Sequence, residues 1–103
     1  MNLVGLTPEL VADGEKRCPG GFRAWLSEVQ RADWANAEAM LTTYPKCWWI
    51  RSDRYHFSLG PDDFGIRAEV YFDAGIVIAH HLAPADFPTP AARRAARPSV
   101  PAA

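Results

Sequence analysis

The sequence predicts an α+β fold: an N-terminal strand, then two to three short helices packed on one face of a C-terminal antiparallel β-meander. Three observations predict it. Helix start and stop signals fall in the first half of the chain. From Lys46 onward the pattern changes to alternating runs rich in aromatic and β-branched residues, separated by turn residues. The length of 103 residues suits one domain with a core of its own. Helices segregated from strands in this way pack as two layers.

The apolar, polar-flanked "NLVGL" reads as the strand. Thr7 as N-cap and Pro8 at the first helical position open a helix that runs to about Arg17. "CPGG" then breaks the helix, since Pro19 cannot continue it and glycines favour a turn. In the helix that follows, Phe22, Trp25, Leu26, Val29 and Ala32 recur at helical spacing, leaving Arg23, Glu28, Gln30 and Arg31 for the opposite face. Trp25 is expected to pack on the sheet, and Trp34 to close the exit of the helix. Asn36 caps a third short helix through Leu41, which "TTYP" ends at Pro45.

"KCWWIRS", "RYHFSL", "IRAEVYF" and "IVIAHHL" read as four strands, with "GPDDFG" as a turn between the second and third. "DAG" reads as a three-residue hairpin loop with Gly75 in the left-handed position. That loop sets Phe72 opposite Ile76, Glu69 opposite Ala79 and Arg67 opposite His81. Ile66, Ala68, Val70 and Phe72 then face the helices with Ile76 and Ile78, while Arg67, Glu69, Tyr71 and His81 share the outward face. His80 falls on the apolar side, and His56 can join either group. Trp48 and Trp49 are adjacent, so alternation exposes one of them, and Trp48, Trp49, Arg54 and His56 form the expected partner-binding set. After Leu82 the composition turns to Ala, Pro and Arg. The domain is therefore drawn over residues 1–87, with a Pro/Ala/Arg-rich flexible tail at 88–103.

The chain is 49% hydrophobic, yet no apolar run approaches the roughly 18–20 residues a membrane span needs. The start "MNLVGLTPEL" lacks the basic flank and apolar core of a secretory signal, so a cytoplasmic protein without membrane contact is expected. Cys18 and Cys47 stand far apart, outside any metal-ligand spacing, and read as free thiols; no metal or cofactor is expected. Charge is uneven, because Arg93, Arg94 and Arg97 lie near the end. Residues 1–92 hold twelve acidic against eight basic residues, a net of −4. Proteins that hold nucleic acid usually carry a basic excess, so any contact with phosphates must use a local cluster.

The order of "EKRCP", the helix "RAWLSEVQRADW", "YP", "RYHF", Arg67 within "GIRAEV", and "GIVI" at the last strand resembles the HigB-like toxins of bacterial type II toxin–antitoxin systems, within the RelE/ParE superfamily. The resemblance runs from residue 1 to about residue 82. It implies a RelE-like domain that acts as a ribosome-dependent mRNA endonuclease, an mRNA interferase, with ribosome-bound mRNA as substrate and an antitoxin protein as silencing partner. Such cleavage needs no metal, because the 2′-hydroxyl is the nucleophile. The protein supplies a base, an acid and positive charge for the phosphate.

The sequence departs from that family after the last strand. Where family members carry a Thr-His-x-Glu-Tyr-Asp stretch, it reads "APADFPTP", with Asp86 and Phe87 as the remnant. The candidate catalytic set is therefore taken from the hairpin: Arg67 as phosphate clamp, with His81, Glu69 and Tyr71 as proton-transfer groups. Two other readings stand beside it. One is a catalytically inactive protein of the same fold, such as a phage-encoded inhibitor of the anti-CRISPR, nucleic-acid-mimic type, that blocks a nucleic-acid-handling complex; the acidic body speaks for it. The other is a topoisomerase poison of the ParE kind.

Overall fold

The computed structural model describes residues 1–85. The domain end drawn at residue 87, the Asp86–Phe87 remnant and the segment 88–103 lie outside the described residues. Elements follow in the order β1 (Asn2–Val4), α1 (Pro8–Arg17), α2 (Pro19–Arg31), α3 (Ala37–Thr43), β2 (Cys47–Arg51), β3 (Arg54–Ser58), a short 3₁₀ turn (Pro61–Asp63), β4 (Gly65–Tyr71) and β5 (Ile76–Ala83). The fold is α+β. The strands form one mixed sheet in the order β1-β5-β4-β3-β2. β2 to β5 are the antiparallel meander, and β1 lies parallel to β5, pairing Asn2 with Ile76.

The helix caps fall where the side chains require them. Thr7 Oγ1 accepts from the Leu10 amide at 3.1 Å and Asn36 Oδ1 from the Ala39 amide at 2.9 Å, each satisfying an amide that the first turn would leave unpaired. α3 runs two residues past the expected Leu41, to Thr43, and one helix start differs from expectation. α2 starts at Pro19 itself, so Gly20 and Gly21 lie in its first turn rather than in a connecting loop. Proline suits the first helical position, where its missing N–H costs nothing. Gly21 is there for closeness: a Cβ at this position would stand 1.8 Å from the Leu59 carbonyl oxygen.

The core lies between the helices and one face of the sheet. Phe22, Trp25 and Val29 of α2 and Met40 of α3 are fully buried against Phe57, Ile66, Ala68, Val70 and Val77. Phe57 is the aromatic centre, with ring centroids 5.6 Å from Trp25, 6.4 Å from Trp34 and 5.4 Å from Tyr44. Trp25 and Trp34 are thus core residues, as their positions at and just beyond the end of the apolar helix stripe predict.

The β4–β5 hairpin corrects the expected register. Tyr71, not Phe72, pairs with Ile76, so the connection is four residues long rather than three. Gly75 closes it at φ +67°, its amide bonding back to the Tyr71 carbonyl at 2.9 Å. Glu69 therefore faces Ile78 rather than Ala79, and Val77 and Ala79, not Ile76 and Ile78, join the core. The register then shifts between Arg67 and Ala68. Ala68 pairs with Ala79 but Arg67 pairs with His81, leaving His80 as the extra residue of a β-bulge. The added turn residue and the bulge cancel, and the expected pairing of Arg67 with His81 holds.

Candidate functional site

The face of the sheet turned away from the helices carries two cross-strand rows. The first runs through four strands: Trp48 pairs with His56, His56 with Arg67, and Arg67 with His81. The second brings Arg51, Arg54 and Glu69 into register beside it, with Tyr71 one same-face step further along β4. Of the eight residues that the sequence nominates, only Trp49 is turned to the other face. It pairs with Tyr55 and packs at the edge of the core.

His56 is fully buried, although it was expected to meet a partner. Arg67 Nε donates to its Nδ1 at 2.9 Å. A guanidinium has no acceptor atom, so His56 Nδ1 carries a lone pair, and Nε2 carries the proton it gives to the Asp63 carbonyl oxygen at 2.8 Å. The ring is thereby fixed in one tautomer and holds Arg67 edge-on. A second anchor of Arg67 is Nη2, which donates to the Pro84 carbonyl oxygen at 3.1 Å. Asp63 ends the Pro61–Asp63 turn with a positive φ of 58°, and its Oδ1 accepts from Ser58 Oγ at 3.1 Å. These bonds hold that turn against the end of β3.

The expected exposed indole is not there. Trp48 is buried, its ring centroid 6.3 Å from that of His56, and Trp49 is half-buried with Nε1 donating to the Ser52 carbonyl oxygen at 2.8 Å. Alternation does send the two side chains to opposite faces, but each face is covered there. Neither indole is the open contact that the sequence suggested, and of the expected partner-binding set Arg54 lines a cleft.

Around Glu69 the polar groups converge. His80 Nε2 lies 2.5 Å from Oε2, Arg54 Nη2 lies 3.3 Å from the same oxygen, and the Tyr71 hydroxyl donates to Oε1. These donors hold the Glu69 carboxyl below its ordinary value, with the Tyr71 and His80 hydrogen bonds as the main causes, and the same bond pushes the Tyr71 phenol up. A carboxylate bound by three donors is a weak base. Arg51, Ser52, Asp53 and Arg54 join Glu69 and Tyr71 in lining a cleft of about 180 Å³.

His81, opposite Arg67, is exposed. Partial burial pushes its imidazole down, and the charges of Arg67, His80 and Arg54 act in the same direction, which favours the neutral ring. His80, expected in the core, is instead on the outward face beside Glu69. A sequence signal for this existed: two consecutive histidines interrupt an alternating strand, and a bulge is the backbone device that turns both outward. All three histidines of the chain thus lie on one face.

Among the described residues, no group of three or more His, Cys, Asp or Glu side chains is arranged to hold a metal ion, and no helix is long and apolar enough to cross a membrane. Cys18 and Cys47 are buried free thiols, both pushed up by burial. No model of a known protein family matches the chain, and the search of curated proteins gave no match.

Proposed function

We propose that the chain is a HigB-like toxin: a metal-independent endoribonuclease that cuts ribosome-bound mRNA and is neutralised by an antitoxin protein. The observation that carries this reading is the row that sets Arg67 against His81 across the ladder, beside a second row that holds Glu69. In-line attack of a 2′-hydroxyl on its own phosphodiester needs a clamp for the phosphate and groups that move two protons. Arg67, held by His56 and Pro84, is preorganised for the clamp. His81, favoured in its neutral form, suits the removal of a proton near pH 7. Glu69, bound by three donors, serves as the partner of other side chains rather than as the base.

The test is expression of the chain with its ribosomes and mRNA intact. Growth arrest with cleavage of translated mRNA is expected, and Arg67→Ala and His81→Ala should each relieve it while leaving a folded protein. Loss of one proton-transfer group costs ~10²–10⁴-fold in rate, enough to abolish toxicity.

A second reading rests on the net of −4 over residues 1–92. An acidic protein of this fold can occupy a surface built for phosphates and block a nucleic-acid-handling complex without chemistry. Harmless expression with no RNA cleavage, together with capture of such a complex, would favour it.

A further inference from the structure

The reading above leaves one proton transfer without an owner. The 5′-oxygen that departs from phosphorus must be protonated, and neither Glu69 nor buried His56 is suited to it. We propose, resting on the ribonuclease reading, that His80 is this proton donor, that Glu69 orients it, and that His81 is the base on the other side of the phosphate.

The geometry comes from the bulge. Because His80 is the extra residue of β5, it and His81 both project from the outward face, yet they meet different partners on β4. His81 stands opposite Arg67; His80 bonds Glu69 at 2.5 Å. Arg67 and Glu69 are two residues apart on one face, a spacing of roughly 7 Å along a strand. A phosphate held at Arg67 between the two imidazoles has a proton acceptor on one side and a donor on the other, as in-line displacement requires.

The atoms of His80 are assigned by its bond. Glu69 is ionised and accepts only, so Nε2 carries the proton it shares with that carboxylate, and Nδ1 is the nitrogen left for substrate. The side chain keeps 29% of its surface exposed. When the ring is doubly protonated, Nδ1 holds the second proton and Glu69 balances the charge. Among the described residues, the charged and titratable groups facing His80 are Glu69, with Arg54 and Tyr71 on that same carboxylate, and His81 next in the chain; those facing His81 are Arg67, His80 and Arg54.

The step balances. His81 takes the 2′-hydroxyl proton as the O2′–P bond forms. The P–O5′ bond breaks, and O5′ takes the proton from His80 Nδ1. The products are a 2′,3′-cyclic phosphate and a 5′-hydroxyl, with His81 protonated and His80 neutral. Exchange with water restores both.

Cleavage rates of a ribosome-bound mRNA, measured against pH, test the assignment. Wild type should give a bell, its rising limb set by His81 and its falling limb by His80. His80→Gln should lose ~10²–10⁴-fold in rate and with it the falling limb. Glu69→Gln should keep slowed cleavage, with kcat lowered and KM unchanged, because His80 loses its orientation while Arg67 still holds the phosphate. The same mRNA with sulfur replacing the 5′-bridging oxygen at the mapped cleavage site releases a thiolate, which needs no proton. It should restore most of the rate of His80→Gln but not of His81→Ala, a rescue that a misfolded variant cannot show. The assignment is overturned if His80→Gln keeps the wild-type rate and falling limb, or if it is folded by urea titration yet not rescued by sulfur. If wild type cleaves no RNA at all, the ribonuclease reading falls and takes this assignment with it. If wild type cleaves and only His81→Ala is impaired, the assignment falls alone.

Discussion

Arg67 and His56 are joined side chain to side chain across neighbouring strands, Nε donating to Nδ1 at 2.9 Å, and the ring passes its own proton to the Asp63 carbonyl. A buried histidine is here the support of a partly exposed arginine. The pair ties the Pro61–Asp63 turn to the row of residues that the proposed chemistry uses.

His56→Ala should therefore act twice. Removing the ring strips the Asp63 carbonyl and Arg67 of partners in a buried place, and stability should fall by about 1–3 kcal/mol in urea titration. Any RNA cleavage should fall further than stability explains, because Arg67 loses its orientation. A variant with wild-type stability and activity would show that the ring supports nothing.

Trp25→Ala and Phe57→Ala should each cost about 3–5 kcal/mol, the usual result of truncating a buried aromatic. Their centroids lie 5.6 Å apart in an edge-to-face contact. The double variant should accordingly be less destabilised than the sum of the two, with a coupling of about 0.5–1.5 kcal/mol. A loss well under 1 kcal/mol for Trp25→Ala would remove α2 from the core.

The adjacent glycines of α2 should respond oppositely to alanine. Nothing lies within 4 Å of a Cβ at Gly20, whereas one at Gly21 meets the Leu59 carbonyl oxygen at 1.8 Å. Gly20→Ala should gain about 0.4–1 kcal/mol by restricting the unfolded chain. Gly21→Ala should destabilise by more than that gain, since backbone must move. Thermal melts of the two variants at neutral pH decide the matter, and equal shifts would contradict the close approach.

Acid should weaken the fold in two stages. His81 and Glu69 both bind protons less readily in the folded chain than their ordinary values of 6.5 and 4.5 imply, His81 through desolvation and Glu69 through its hydrogen bonds. A folded-state value that is lowered means that the unfolded chain takes up the proton first, so stability drops as pH falls. The loss begins below about 6.5 with His81 and resumes below about 4.5 with Glu69. Urea midpoints measured from pH 8 to pH 3.5 should show both stages. His81→Ala should remove the first and Glu69→Gln the second.

By itself the sequence determined the elements and most of the core. Thr7, Pro8 and Asn36 start helices because their side chains or ring meet the needs of a first turn, and the spacing of Phe22, Trp25 and Val29 leaves one buried stripe. These are local effects, legible wherever the residues occur. Of the eight residues it nominated, seven end on the outward face, because strand alternation is local too. Tertiary structure decided the rest. The four-residue turn at Phe72–Gly75 and the bulge at His80 each shift the register by one residue, and a shift of one moves every following side chain to the other face. Nothing in "DAG" distinguishes a three-residue loop from a four-residue one. The choice falls to whether Val77 and Ala79 or Ile76 and Ile78 fill the space under α1 and α2, which depends on packing across the whole layer. On the opposite face Trp48 and His56 are buried as well, His56 against the Asp63 carbonyl, and the bulge brought His80 out to Glu69.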